Sequence, residues 1–147
     1  MTERTFVIIK PDAVASGQVG AILQRYEEAG LRVEAMDLRT IDGDFADRHY
    51  AEHLGRDYYA PLRAFMTEGP LVAVLLGGED AIARVRELNG ATDPAKAAPG
   101  TIRADFAESM RRNAVHASDS PASAAAEIAL WFPDLKPSAP TSPMTLA

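Results

Sequence analysis

The sequence predicts an α/β sandwich: a four-stranded antiparallel sheet with flanking helices, built from two β-α-β units. Three observations carry this expectation. Residues 5–10 and 71–76 are nearly unbroken apolar runs, as in strands covered on both faces. The stretches between them place apolar residues at helical spacing. Glycine and proline mark most of the boundaries.

Taken in order, residues 5–10 form the first strand. Pro11 ends it because it cannot donate to a ladder, which leaves Lys10 at the strand's end. Residues 17–29 form a helix, with Val19, Ile22, Leu23 and Tyr26 on one stripe and Gly30 as its stop. Residues 31–41 read as a strand. Its apolar phase runs Leu31, Val33, Ala35 and then slips to Met36 and Leu38, the mark of a bulge. Asp42-Gly43-Asp44 is a turn that starts a helix. Two short helices follow, broken near Gly55, and the second carries Tyr58, Tyr59, Leu62, Phe65 and Met66 up to Gly69-Pro70. After the strand at 71–76, Gly77-Gly78-Glu79-Asp80 reads as a turn into a helix that ends at Gly90 and buries Ala81, Ile82, Val85 and Leu88.

Residues 91–110 lack periodicity, and a loop of that length in a compact domain tends to be functional. Val115-His116 fits a last short strand. Ser120 then caps an alanine-rich helix at 121–132, with Pro121 at its first position, where no N–H is needed. The order of elements is that of a ferredoxin-like sandwich. Residues 1–132 make one domain, and 133–147 read as a polar, proline-punctuated, disordered tail.

Composition narrows the function. The 147 residues suit a single core. There is no cysteine, hence no disulfide framework or thiolate metal site. No apolar run is long enough for a signal or a membrane span, so the expected location is cytoplasmic and no membrane partner is expected. A net charge of −6, from 21 acidic and 15 basic side chains, argues against nucleic acid as a partner. It leaves room for a local basic pocket that holds a small anion.

His116 is one of three histidines. It stands at the end of a strand, amid hydroxyls and an amide, and Glu127 lies about two turns into the following helix, near enough to fold back on it. A carboxylate-oriented histidine is a candidate nucleophile or acid/base, although a lone histidine near a helix start is more often a hydrogen-bonded surface residue. No glycine loop for phosphate is present. Side chains must take that role: Lys10, Arg86 and Arg103, with Thr92 as a hydroxyl donor. Either Tyr58 or Tyr59 is available to stack on a base. A different chemistry is offered by His49-Tyr50-Ala51-Glu52-His53, which matches an inverted zinc-hydrolase pattern. On one helix His49 and His53 would share a face; the blander reading is an amphipathic helix with exposed histidines.

Several ordered motifs together resemble the nucleoside diphosphate kinase family. They are Ile8-Ile9-Lys10-Pro11-Asp12, Phe65-Met66 with Gly69-Pro70, Gly90-Ala91-Thr92-Asp93-Pro94, the run from Gly100 to Phe106, and Asn113-Ala114-Val115-His116-Ala117-Ser118-Asp119-Ser120. The resemblance implies a ping-pong relay in which a nucleoside triphosphate phosphorylates His116 and a diphosphate then takes the phosphoryl group. It implies Lys10 and Tyr50 beside the transferring group, and Arg86, Thr92 and Arg103 on the phosphates. Asn113, with Lys10, would meet the ribose. Tyr58 would stack on the base in a slot lined by Leu62 and Met110, and Glu127 would orient His116. It also implies magnesium held by nucleotide phosphates and water, and a homo-oligomer of four or six chains.

Three positions depart from the family's usual pattern: Ala117 for glycine, Asp93 for asparagine and Tyr58 for phenylalanine. Alanine is strained if position 117 has φ > 0. Asp93 adds a negative charge near a phosphate loop. Ala117 and the tail are the support for the competing reading of a catalytically weak paralogue that acts as an interaction module. All residues expected at the reacting phosphate are nevertheless present, which favours the active reading.

Overall fold

The computed structural model describes residues 2–135. Its sheet has four antiparallel strands: β1 (Thr2–Ile9), β2 (Arg32–Arg39), β3 (Leu71–Glu79) and β4 (Val115–Ala117), in the order β2-β3-β1-β4. This is the ferredoxin-like order expected from the sequence. Helices cover both faces. Val7, Ile9, Val72, Val74 and Leu76 face Ile22 and Tyr26 of α2 (Val19–Glu28) and Ala81 and Val85 of α5 (Ala81–Asn89). Phe6, Ile8, Leu71 and Ala73 face Ala46 of α3 (Gly43–His49), Phe65 and Met66 of α4 (Tyr59–Met66) and Trp131 of α7 (Pro121–Trp131). Cover on both sides is why the β1 and β3 sequences show no alternation.

The local rules mostly hold. Asp42 caps α3 by accepting from Phe45 N, and Ser120 and Ser123 form a reciprocal capping box at α7. The slip in β2 is real, but it falls between Val33 and Ala35, one step before the expected place. The extra residue, Glu34, ion-pairs with Arg4 at 2.8 Å and Arg32 at 3.2 Å.

Three expectations need correction. The strand β3 continues through Gly77, Gly78 and Glu79, which pair with Arg4, Glu3 and Thr2. The Glu34 carboxylate lies across the α-carbon of Gly77, where a Cβ would displace it. Pro11 does end β1, but it also opens a one-turn helix, α1 (Pro11–Ala15), as its first residue. The irregular stretch contains α6 (Ile102–Phe106), capped by the Thr101 hydroxyl. The tail expected from residue 133 lies, from 136 onward, outside the described residues. Leu135 N donates to Phe132 O at 3.0 Å and closes a turn after α7.

Candidate active site

The last strand is positioned by a short chain of hydrogen bonds. Ala114 has φ of 73°, a conformation alanine seldom adopts, and it is fully buried. Its N–H donates to Asp12 Oδ2 at 3.1 Å, and its carbonyl accepts from Lys10 N at 2.9 Å. The first turn of α1 thus grips the turn that precedes His116. Burial raises the pKa of Asp12, against the pull of that backbone donor.

His116 follows in β4, paired with Ile8. Its Nε2 lies 2.7 Å from Glu127 Oε1, and the Ser118 hydroxyl donates to the same oxygen at 3.1 Å. Glu127 accepts from both and so fixes the ring with its proton on Nε2 and its lone pair on Nδ1. Among the described residues Nδ1 takes no hydrogen bond.

A cleft of about 580 Å³ opens at this ring, lined by Lys10, Tyr50, Leu62, Arg86, Thr92, Arg103, Asn113, His116 and Glu127 among others. The volume is that of a small-ligand site. Nine of the eleven residues expected at the site therefore share one wall. Tyr58 and Met110, expected at the base, are 48% and 59% exposed and lie outside that lining.

The wall is tightly organised. Lys10 is 7% exposed and donates from Nζ to Asn113 Oδ1 at 2.8 Å, while Asn113 Nδ2 donates to Met110 O. Burial, with Arg103 nearby, lowers the Lys10 pKa to about 8, and Asp12 partly restores it. Arg103 donates from Nη1 to Gly90 O at 2.9 Å and from Nη2 to Val115 O at 2.8 Å. It ties the end of α5 to β4, and its Nε–H is buried without a partner. Burial and Glu127 hold the Tyr50 phenol above its ordinary pKa, so it stays a donor.

The departures resolve in favour of an intact site. Ala117 is an ordinary residue of β4, paired with Val7, and is not among the residues with positive φ. Asp93 turns its carboxylate to Ala95 N at 3.0 Å and does not line the cleft. The Tyr58 hydroxyl is hydrogen-bonded to His53 Nδ1.

The zinc pattern fails for a structural reason. The helix ends at His49, and the chain turns at Tyr50 into a 3₁₀ turn at Ala51–His53, so the two histidines share no helix face. His49 is held instead by Trp131, whose indole N–H donates to His49 Nδ1 at 2.9 Å. Neither histidine is a freely exposed surface residue. Among the described residues the convergent metal-capable group is His49, His116 and Glu127, and no three carboxylates meet.

Sequence reasoning assigned no role to Asp12, Ser118 or Trp131, and placed His49 in the wrong chemistry. The pattern around His49 was visible; its helix boundary was not.

Comparison with known proteins completes the picture. Residues 3–136 match the family model described as "Nucleoside diphosphate kinase". A protein of that name from a Nocardioides species is 60% identical over 135 residues, covering 92% of this chain and 100% of the relative. One from Rhodococcus jostii is 60% identical over 136 residues, covering 92% and 98%. Among solved structures, the nucleoside diphosphate kinase of Aquifex aeolicus aligns with a TM-score of 0.87 at 44% identity, covering 90% of this chain and 96% of that one. The halophilic enzyme of Halobacterium salinarum, solved in complex with CDP, aligns with a TM-score of 0.87 at 42% identity, covering 90% and 88%. The molecule is thus a phosphotransferase on a ferredoxin-like sheet. The chain belongs to the nucleoside diphosphate kinase family, and neither a zinc hydrolase nor a silent paralogue is favoured.

Proposed function

We propose that His116 carries the phosphoryl group between a nucleoside triphosphate and a nucleoside diphosphate in this cleft. One observation carries the reading: Nε2 is held by Glu127 while Nδ1 has no hydrogen-bond partner among the described residues. The Nδ1 lone pair attacks the γ-phosphorus, the Nδ1–P bond forms, and the bond to the bridging oxygen breaks as the diphosphate leaves. A second diphosphate reverses the step with its terminal oxygen. Glu127 takes up the positive charge that develops on the ring, and Ser118 keeps Glu127 in place.

Lys10, Arg86, Arg103 and Thr92 hold the phosphates, Tyr50 donates to the transferring group, and Asn113 with Lys10 meets the ribose. Positioning and charge stabilisation dominate such a transfer, and this preorganised wall suits it. Tyr58, with Leu62 and Met110, is the stacking end; stacking tolerates any base.

The acidic groups of the wall are Glu52, Asp119 and Glu127, and Glu127 is committed to His116 and Ser118. That set fits a cation carried by its substrate. Magnesium, held by the phosphate oxygens and water, would neutralise phosphate charge. Within this reading the protein is a homo-oligomer of four or six chains. Its support is the edge strand β2, which leaves Met36 55% and Leu38 63% exposed. The substrates, as cytoplasmic metabolites, suggest a cytoplasmic location, and among the described residues no helix is long and apolar enough to cross a membrane.

The test is incubation with ATP labelled on the γ-phosphate. The expected product is a phosphoprotein stable in base and labile in acid, absent from His116→Ala. Label retained on that variant would assign the nucleophile elsewhere.

A further inference from the structure

His49 lines the cleft beside the nucleophile, its ring 5.0 Å from that of His116 and nearly perpendicular to it. Neither the resting hydrogen bonds of His116 nor its carboxylate partner calls for this second imidazole. Its ligand-capable atom lies within 4.8 Å of those of His116 and Glu127, close enough that a metal ion is the first thought.

Trp131 excludes that reading. An indole nitrogen only donates, so His49 Nδ1 must accept with its lone pair. A neutral imidazole has one lone pair on its nitrogens, and here it is spent. The other nitrogen, Nε2, must then carry the proton. It takes no hydrogen bond among the described residues and is not sealed from solvent, so it opens to the cleft that the ring lines. The result is a neutral N–H donor, fixed in one tautomer, facing a site that receives phosphate.

We infer that His49 is a further catalytic residue, which donates its Nε2–H to an oxygen of the phosphoryl group as it passes to and from His116, with Trp131 fixing its tautomer. The donor keeps its proton throughout, and only the hydrogen bond is made and broken. Burial first, then the neighbouring His116, Lys10 and His53, lowers the His49 pKa to about 3, so the ring remains neutral at working pH. A neutral donor suits its place, because a positive charge on this second ring would repel the imidazolium formed on His116. This inference rests on the assignment of His116 as phosphoryl carrier. Should that assignment fail, the wild-type protein shows no base-stable label, a failure visible before any His49 variant is made.

The experiment measures single-turnover phosphorylation of the full chain by ATP and its discharge by ADP, in wild type, His49→Gln and His49→Phe. Glutamine offers an amide N–H near the place of Nε2; phenylalanine fills the space without a donor. The expected result is a loss of about a hundredfold in both half-reactions for His49→Phe, as for one well-placed donor, with ADP affinity nearly unchanged and His49→Gln recovering at least tenfold of that loss. A wild-type rate in His49→Phe overturns the inference, and so does an equal loss in both variants, which would mark His49 as packing alone. If His49→Phe does not fold, ¹⁵N NMR of histidine-labelled wild type decides. A proton on Nε2 of His49 that shifts when His116 is phosphorylated upholds the inference. A proton on Nδ1, or no shift, overturns it.

Discussion

The two ends of the proposed nucleotide site are built differently. At the proposed phosphate end Lys10, Asn113, Arg103, His116 and Glu127 are each held by another element of the fold, across separations of 11 to 103 residues. At the proposed base end, outside the residues that line the cleft, Tyr58 and Met110 are exposed, and among the described residues the Tyr58 side chain is tied to its near neighbour His53. The difference follows from the chemistry. Charge that develops in a transition state is stabilised best by donors already in place, which pay no reorganisation during the reaction. A base that is merely stacked needs a surface, and any of several bases fits it. Rigidity is therefore concentrated where the barrier lies.

The largest test of this contrast is Arg103→Lys. Arg103 forks to Gly90 O and Val115 O and keeps further N–H groups for phosphate. A lysine keeps the charge but cannot bridge both carbonyls. We expect kcat/KM to fall by about a hundredfold or more, with a lower melting temperature because α5 and β4 lose their tie. Steady-state kinetics and a thermal melt check both parts. Wild-type values would leave the phosphate end no more dependent on built-in geometry than the base end.

Next in size is the pH dependence set by Lys10, whose pKa is about 8 against an ordinary 10.5. On its proposed role its charge serves phosphate binding; that charge is lost as pH rises through about 8, so kcat/KM should fall above that pH, approaching tenfold per unit. The stability effect runs the other way. Between about 8 and 10.5 the unfolded chain binds the proton and the folded one does not, so this group's contribution to stability rises with pH over that window. Activity and melting profiles that move together there would contradict the assignment.

At the base end effects should be smaller. Tyr58→Ala removes an exposed stacking face, worth about 1 kcal/mol at the low end of such losses, or roughly fivefold in KM for the diphosphate, with kcat little changed. Tyr58→Phe should be close to wild type. A loss in kcat from Tyr58→Ala would mean that the base end also helps align the phosphate.

What the sequence disclosed follows the same division. Lys10, Arg103, Asn113, His116 and Glu127 were legible as a set because they fall in ordered motifs that resemble one family; singly, a lysine at a strand end or a histidine before a helix reads as an ordinary surface residue. The fold class was legible from the order of strands and helices along the chain, with the apolar runs of β1 and β3 marking strands covered on both faces. Hidden were features that depend on a partner distant in sequence. Gly77 and Gly78 looked like a turn because only the fold shows Glu34 lying across Gly77. His49 looked like a ligand because the end of α3 one residue later leaves no local mark, and Trp131 lies 82 residues away. The positive φ of Ala114 could not be read at all, since alanine does not advertise that conformation.

The smallest expected effect is that of Ala117→Gly, and it separates two alanines near the nucleophile. Strain in this loop sits at Ala114, where φ is 73°, not at Ala117, which pairs with Val7 in β4. Ala114 tolerates its conformation because Asp12 Oδ2 holds its N–H and Lys10 N holds its carbonyl. Glycine at 117 therefore relieves nothing. It should leave kcat within about threefold, or less than about 0.7 kcal/mol of barrier, and cost about 0.5–1 kcal/mol of stability through a looser strand. At Ala114 two terms oppose each other: glycine relieves a strain of about 1–2 kcal/mol but removes a buried methyl group worth about 0.8 kcal/mol. Glycine also adds the same cost of about 0.5–1 kcal/mol in chain freedom, so Ala114→Gly should be near neutral and less destabilising than Ala117→Gly. Melting curves give the sign for each variant, and the two half-reactions, timed separately, give the rates. A hundredfold faster transfer in Ala117→Gly would show that the methyl group holds His116 off its line of attack and that the natural protein is a weakened kinase.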